Sequence, residues 1–199
     1  RSVTDFLNTP TYNQFSKRVF QDTKVQESTS IANPDEISRE ENFYFYDFTA
    51  KVLYDISHKH KARFSLIAIN NSLEYLETQT ATARTDQSRL NQNNLSFGGS
   101  LVSNWSETFS SNAIAYYSRY NLDSENIINN GEQILDQKNE VIETSLKLNT
   151  SLHISSSLKW LNGYQFTETG ITNFTDVTQP PYESNIKGVV RSNALYSEI

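Results

Sequence analysis

From Phe43 to Ile56 every second residue is apolar or aromatic: Tyr44, Tyr46, Phe48, Ala50, Val52, Tyr54 and Ile56. Asp47, Thr49, Lys51 and Asp55 occupy the alternate positions. Side chains on a strand point alternately to its two sides, so this period predicts one β-strand with one greasy and one wet face. The pattern recurs. A second strand sets Ala62, Phe64, Leu66 and Ala68 against Arg63 and Ser65, with Ile67 and Ile69 blurring the alternation enough to suggest a bulge. A third, Leu95 to Trp105, groups Leu95, Phe97, Gly99, Leu101 and Trp105. A fourth, Asn112 to Asp123, groups Ile114, Tyr116, Tyr120 and Leu122 against Tyr117, Arg119, Asn121 and Asp123. The fifth, Val141 to Ile154, sets Ile142, Thr144, Leu146, Leu148, Thr150, Leu152 and Ile154 against Glu143, Ser145, Lys147, Asn149, Ser151 and His153. A sixth, Leu158 to Phe166, turns Leu158, Trp160, Tyr164 and Phe166 one way and Lys159 the other, and a seventh begins near Val189 with Ala194 and Tyr196 as its apolar pair.

The connections add an order. Short Ser-rich or His-Lys turns fall near residues 57–60, 106–111 and 155–157, and long polar segments fall at 77–93, 124–140 and 169–187. In an antiparallel meander such alternation puts short turns at one rim and long loops at the other. Residues 1–41 read as mainly another long loop, and 42–199 as strand hairpins. Gly98-Gly99 and Gly163 lie inside strands, where glycine marks a bend or the close approach of another backbone.

Composition narrows the choice. The chain has 199 residues, 17 basic and 23 acidic side chains, and no cysteine. Disulfides and Cys-ligated metal are excluded, and the acidic balance argues against a nucleic-acid partner. Mean hydropathy of −0.60 does not exclude a membrane, because a barrel strand averages its lipid and lumen faces. The expected fold is all-β: part of an antiparallel transmembrane β-barrel, with about seven or eight strands here. Tyr44, Tyr46, Tyr54, Trp105, Tyr116, Tyr120, Trp160 and Tyr164 would then be interfacial girdles, since amphipathic rings favour the headgroup level. In a soluble protein the same residues would form half of a sandwich core or a glycan-stacking surface.

Chemistry is sparse. No nucleotide-binding, zinc-protease or serine-hydrolase motif occurs, so no enzyme activity and no cofactor are expected. His58 and His60 lack a third ligand nearby in sequence and read as a solvated turn, and no metal site is expected. Lys51, Arg63, Tyr117, Arg119, Lys147 and Lys159 fall on the expected inner face with Asp47 and Glu143. Such a lumen would attract an anionic solute by focusing the field. Alternatively, these groups pair with the carboxylates or hold material inside the barrel.

The phrases NFYFYDFTAKVLYDISHKHKARFSLIAINNSLEYLE, NLSFGGSLVSNWSETFSSNAIAYYSRYNLDSEN, LDQKNEVIETSLKLNTSLHISSSLKWLNGYQFTETGITNF and IKGVVRSNALYSEI resemble the barrel region of TonB-dependent outer-membrane receptors, most closely those of the Bacteroidetes type. That resemblance implies a 22-stranded barrel in the bacterial outer membrane, plugged by an N-terminal domain outside this sequence. It implies uptake of a scarce ligand, first an iron-siderophore or other metal chelate and next a carbohydrate or peptide. The implied partners are outer-membrane lipid, TonB acting through that N-terminal region, and a surface lipoprotein. The rival from another class is a secreted all-β glycan-binding module. Seven strands leave open edges, so residues outside the sequence are expected to complete the wall.

Overall fold

The computed structural model describes residues 37–199. They form seven strands: β1 (Ile37–Asp55), β2 (His60–Gln79), β3 (Arg84–Asn104), β4 (Phe109–Ile128), β5 (Gln133–His153), β6 (Lys159–Val177) and β7 (Tyr182–Glu198). Each strand pairs antiparallel with its sequence neighbours, giving one open sheet in the order β1 to β7. The all-β, antiparallel expectation therefore holds. Residues 1–36, expected as loop, lie outside the described residues, and β1 starts at Ile37 rather than at Asn42.

The long loops are replaced by strands. The segments 77–93, 124–140 and 169–187 belong to hairpins closed by only four residues each, 80–83, 129–132 and 178–181. Polar sequence conceals this because both faces are wet there. The pairing is held by cross-strand amides and hydroxyls: Asn70 donates to Asn93, Asn71 to Gln92 at 3.3 Å, and Ser72 to Asn91 at 2.7 Å. Arg89 lies between Glu74, at 2.6 Å, and Glu125, at 3.8 Å. The hydrogen bond and charge of Glu74 hold the Arg89 guanidinium above its ordinary pKa. This network is exposed, so Glu74→Gln is expected to cost no more than about 1 kcal/mol in a urea titration, and less in high salt. No bulge occurs at Ile67 and Ile69, which pair in unbroken register with Ser96 and Asn94.

The three short turns share one device. Ser57, Ser106 and Ser155 each open a turn and accept backbone N–H groups two or three residues on, such as His60 N–H at 3.2 Å and Phe109 N–H at 3.0 Å. A serine hydroxyl can satisfy the donors a tight turn leaves over. These serines stand 49 residues apart, as do the four-residue turns at the opposite end. The distal turns are also laced together. Asn130, at φ 58°, accepts the Thr85 N–H at 2.8 Å and donates to the Ala83 carbonyl at 3.0 Å. Asparagine tolerates that left-handed backbone better than most residues.

Equal hairpins give a constant stagger. His60 lies two residues from the middle of its turn, His58, yet its partner Ser103 lies four from the middle of the next, Glu107. Ser110 and its partner Ser151 repeat the step, three residues from Glu107 and five from Ser156. Each hairpin thus slips two residues, or one per strand. With about 3.3 Å of rise per residue and about 4.8 Å between strands, the strands lean about 35° from the perpendicular to the turn rim.

Candidate functional site

Paired residues share a face, so the register assigns every side chain to one of two surfaces. The apolar surface carries Tyr54, Ala62, Leu101, Ala113, Leu148, Tyr164 and Leu195 in one hydrogen-bonded row. Val52, Phe64, Gly99, Ala115, Leu146 and Phe166 lie in the next. These side chains are not a core. Among the described residues only Leu73 and Tyr75 are buried large apolar groups, while Phe48 is 55% exposed and Leu146 46%.

The apolar band follows the turns rather than the rows. Along β1 and the residue that follows it the band runs from Ile56 to Tyr46, along β3 and its following residue from Trp105 to Leu95, and along β5 and its following residue from Ile154 to Ile142, starting two residues from the turn middle each time. About ten residues of strand leaning at about 35° stand about 27 Å tall. Aromatics mark its limits. Tyr54, Trp105, Phe109 and Trp160 lie at the turn side, and Tyr44, Tyr46, Phe97, Tyr117 and Phe166 near the other. The indole N–H of Trp105 donates to Ser111 and that of Trp160 to Ser197, each at 2.8 Å. The His60 ring meets Trp105 edge-on at 5.1 Å. Beyond the far limit come Asn70, Asn93 and Asn121, and the ion pairs Arg119–Glu140 and Arg191–Glu168.

The register corrects four of the expected site positions. Tyr117 and Arg119 share the apolar face, paired across to Phe97 and Leu95, and do not join Lys51. Tyr116 and Tyr120 lie on the polar face, opposite Gly98 and Asn94, and are not girdle residues. On β4 aromatic residues occupy both parities while the outward Ala113 and Ala115 are small, so hydropathy alone picks the wrong face. On β7, Ala194 and Tyr196 likewise fall on the polar face, and Val189 and Leu195 take the apolar one.

The polar surface does gather Lys51, Arg63, Lys147 and Lys159, with Lys61, which the sequence reading does not single out although its odd position beside Arg63 marks the same face. All lie within nine residues of a turn middle, and among the described residues none of them makes an ion pair. Glu143, farther from the turns, is engaged elsewhere: Tyr116 Oη donates to it at 2.5 Å and Thr169 Oγ1 at 3.3 Å. Between the cations this face is lined by small groups, Ser65, Ser96, Gly98, Ser100, Ser118 and Ser145. Two glycines fit facing tyrosines. A Cβ on Gly98 would come within 2.8 Å of Tyr116 Cβ, and one on Gly163 within 1.9 Å of the Tyr196 ring, whose hydroxyl reaches Asn149 at 3.0 Å.

No group of His, Asp and Glu among the described residues is arranged to hold a metal ion. No protein-family profile and no curated protein matches this chain. Among solved structures, a match is the translocator domain of the autotransporter NalP from Neisseria meningitidis, at 8% identity and a TM-score of 0.31, covering 93% of this chain. The chain spans 65% of that domain's length. So slight a likeness adds nothing to the reading of the two faces.

Proposed function

We propose that the sheet is a section of the wall of a bacterial outer-membrane β-barrel, with its apolar face in lipid and its polar face toward a lumen. The observation that carries this reading is the one-sided band about 27 Å tall that keeps level with the turn rim although the hydrogen-bonded rows do not. An outer-membrane barrel needs a band of about 25 Å on strands tilted about 35–45°, with aromatic girdles at its limits. A sheet of this size with two buried apolar side chains among its described residues has no core of its own, so that face needs a cover. Within this reading the protein is a TonB-dependent receptor that takes up a scarce ligand, first an anionic metal chelate, with carbohydrate or peptide as the next class. Support for the charge comes from Lys51, Arg63 and Lys147, which lack carboxylate partners in the described wall and would focus an attractive field in a confined lumen.

Two experiments divide the alternatives. The barrel wall is extracted from cell membranes only by detergent, whereas the secreted glycan-binding module is soluble and monodisperse without it. Growth of a gene-deleted strain on a panel of iron sources checks the ligand; an unchanged profile removes the chelate reading while leaving the barrel. Charge reversal of Lys51, Arg63 and Lys147 to Glu together is expected to lower uptake of an anionic chelate by at least about tenfold, the effect of about 1.4 kcal/mol, without loss of the folded barrel. Trp105 and Trp160 are the chain's two tryptophans. Both lie on the turn side of the band, so their fluorescence is expected to be quenched strongly by lipids brominated near the headgroup and weakly by lipids brominated at the chain end. The reverse order would contradict the assigned depth.

A further inference from the structure

The 49-residue period sets equivalent side chains of successive hairpins at equal height on the apolar face. Six residues from the turn middle stand three cross-strand pairs: Val52 with Phe64, Leu101 with Ala113, and Thr150 with Asn162. The first two pairs are apolar and the third is polar. Because the band begins two residues from the turn middle, Thr150 and Asn162 lie four residues inside it, a depth of about 11 Å on strands with this lean.

The polar pair is only partly satisfied within the sheet. The Trp160 indole N–H donates to Ser197 Oγ at 2.8 Å, and Ser197 Oγ donates in turn to Asn162 Oδ1 at 2.9 Å. Among the described residues, the Asn162 Nδ2 group and the Thr150 hydroxyl have no hydrogen-bond partner. Both side chains line a groove in the apolar face together with Leu148, Tyr164, Leu195 and Ser197. A polar group without a partner is costly in hydrocarbon, and acyl chains offer it nothing. The oxygens of lipid headgroups lie at the limits of the band, about 11 Å away. A strand laid beside β7 does not reach Thr150 either, because β5 lies two strands, about 10 Å, inside that edge. What meets this pair must approach face-on, at the same depth, and carry polar groups of its own.

We propose that two copies of the protein meet at this groove within the membrane, Asn162 Nδ2 of each copy donating to Thr150 Oγ1 of the other. Copies standing the same way up in a bilayer are related by a two-fold axis along its normal, and that operation preserves height. Donor and acceptor must therefore be level, and Thr150 and Asn162 are, at six residues on either side of Ser156. The pair is uncharged and supplies its own complement, so a second copy satisfies it without any further group. The adjoining residues of β4 on this face, Ser111, Ala113 and Ala115, are small and let an opposing wall come close. This inference rests on the membrane reading, and its test keeps the two apart.

The test places one cysteine beside the pair, by Leu148→Cys, and one at the equivalent height on β1, by Ala50→Cys, in the whole protein reconstituted into phospholipid vesicles. An apolar bifunctional thiol reagent is expected to join two copies through Leu148→Cys, whereas Ala50→Cys should take up the reagent at one end and stay monomeric. Adding Thr150→Val and Asn162→Leu to the Leu148→Cys protein should lower the dimer association constant by at least about fivefold, as the loss of two polar contacts in a membrane implies. That constant is read from cross-linking at successive lipid dilutions. Both changes put apolar groups on the apolar face, so heat-modifiable gel mobility should show the barrel still folded. Thr150→Ser, which keeps the hydroxyl, should leave the constant unchanged. Absence of dimer from Leu148→Cys, equal dimer from both cysteines, or an unaltered constant in the Thr150→Val, Asn162→Leu protein overturns the proposal. Labelling of Ala50→Cys by a charged, water-soluble maleimide in the same vesicles removes the membrane reading instead, and the proposal with it.

Discussion

Leu148→Arg is expected to abolish most stable insertion of the sheet into a bilayer, at a cost of about 2–4 kcal/mol if one charge is placed near the middle of the apolar band. Leu148 lies eight residues from the turn middle Ser156, close to the centre of a band that begins at two and ends at twelve to fourteen. The neighbouring Lys147 supplies the control, because it sits at nearly the same height on the opposite face. Lys147→Leu should change stability by less than about 1 kcal/mol, as removal from the polar face of one charge that makes no ion pair among the described residues. Urea titration of the protein folded into phospholipid vesicles, followed by heat-modifiable gel mobility, measures both. Similar costs for the two substitutions would mean that the faces are not solvated differently, and the membrane assignment would fall with that result.

Gly163→Val strikes the β6–β7 seam. The Tyr196 ring lies across Gly163 where a Cβ would sit, so any larger residue drives the ring away and breaks its hydrogen bond to Asn149. Overpacking of about 1–3 kcal/mol and a lost hydrogen bond of about 1 kcal/mol together suggest about 2–4 kcal/mol. An aromatic laid over a glycine is a known way to hold register in a sheet. The decisive comparison is a double-mutant cycle with Tyr196→Ala, in which Gly163→Val should become much cheaper because the ring it displaces is gone. Equal costs in the two backgrounds would show that the contact is incidental.

How much of this is legible in the sequence depends on what each residue has to reveal. The apolar stripes of β1, β3, β5 and β6 are plain because Leu, Phe, Trp and Val alternate with charged or hydroxyl residues. Those stripes alone lead to the all-β expectation. β4 misleads because Tyr116, Tyr117 and Tyr120 occupy both parities, and only the pairing of Tyr117 with Phe97, beside that of Ala115 with Leu146, resolves which tyrosine faces which way. The distal halves of the strands are hidden for a different reason. Where both faces meet water the period of two disappears from hydropathy, although Asn, Ser and Gln pair across strands as regularly as Leu and Phe do below. The polar-face cations Lys51, Arg63, Lys147 and Lys159 are legible from parity. Their lack of carboxylate partners in the described wall is not, since Glu143 lies near enough in sequence to suggest a pair and is claimed by Tyr116 and Thr169.

The uniform 49-residue hairpin makes the wall a modular construction. Each unit returns the chain to the same surface at the same height, with the same slip against its neighbour. Removal of residues 58–106, one whole unit, would join Ser57 directly to Glu107, so the first turn would keep its opening serine and continue as Glu107-Thr108-Phe109. The strands on either side would then meet in a register they already use, with Val52 taking the place of Leu101 opposite Ala113. Loss of a single residue inside a strand would instead invert everything downstream to the next bend. A lineage built on this plan can widen or narrow its sheet only in steps of two strands, and single-residue length changes are confined to the bends.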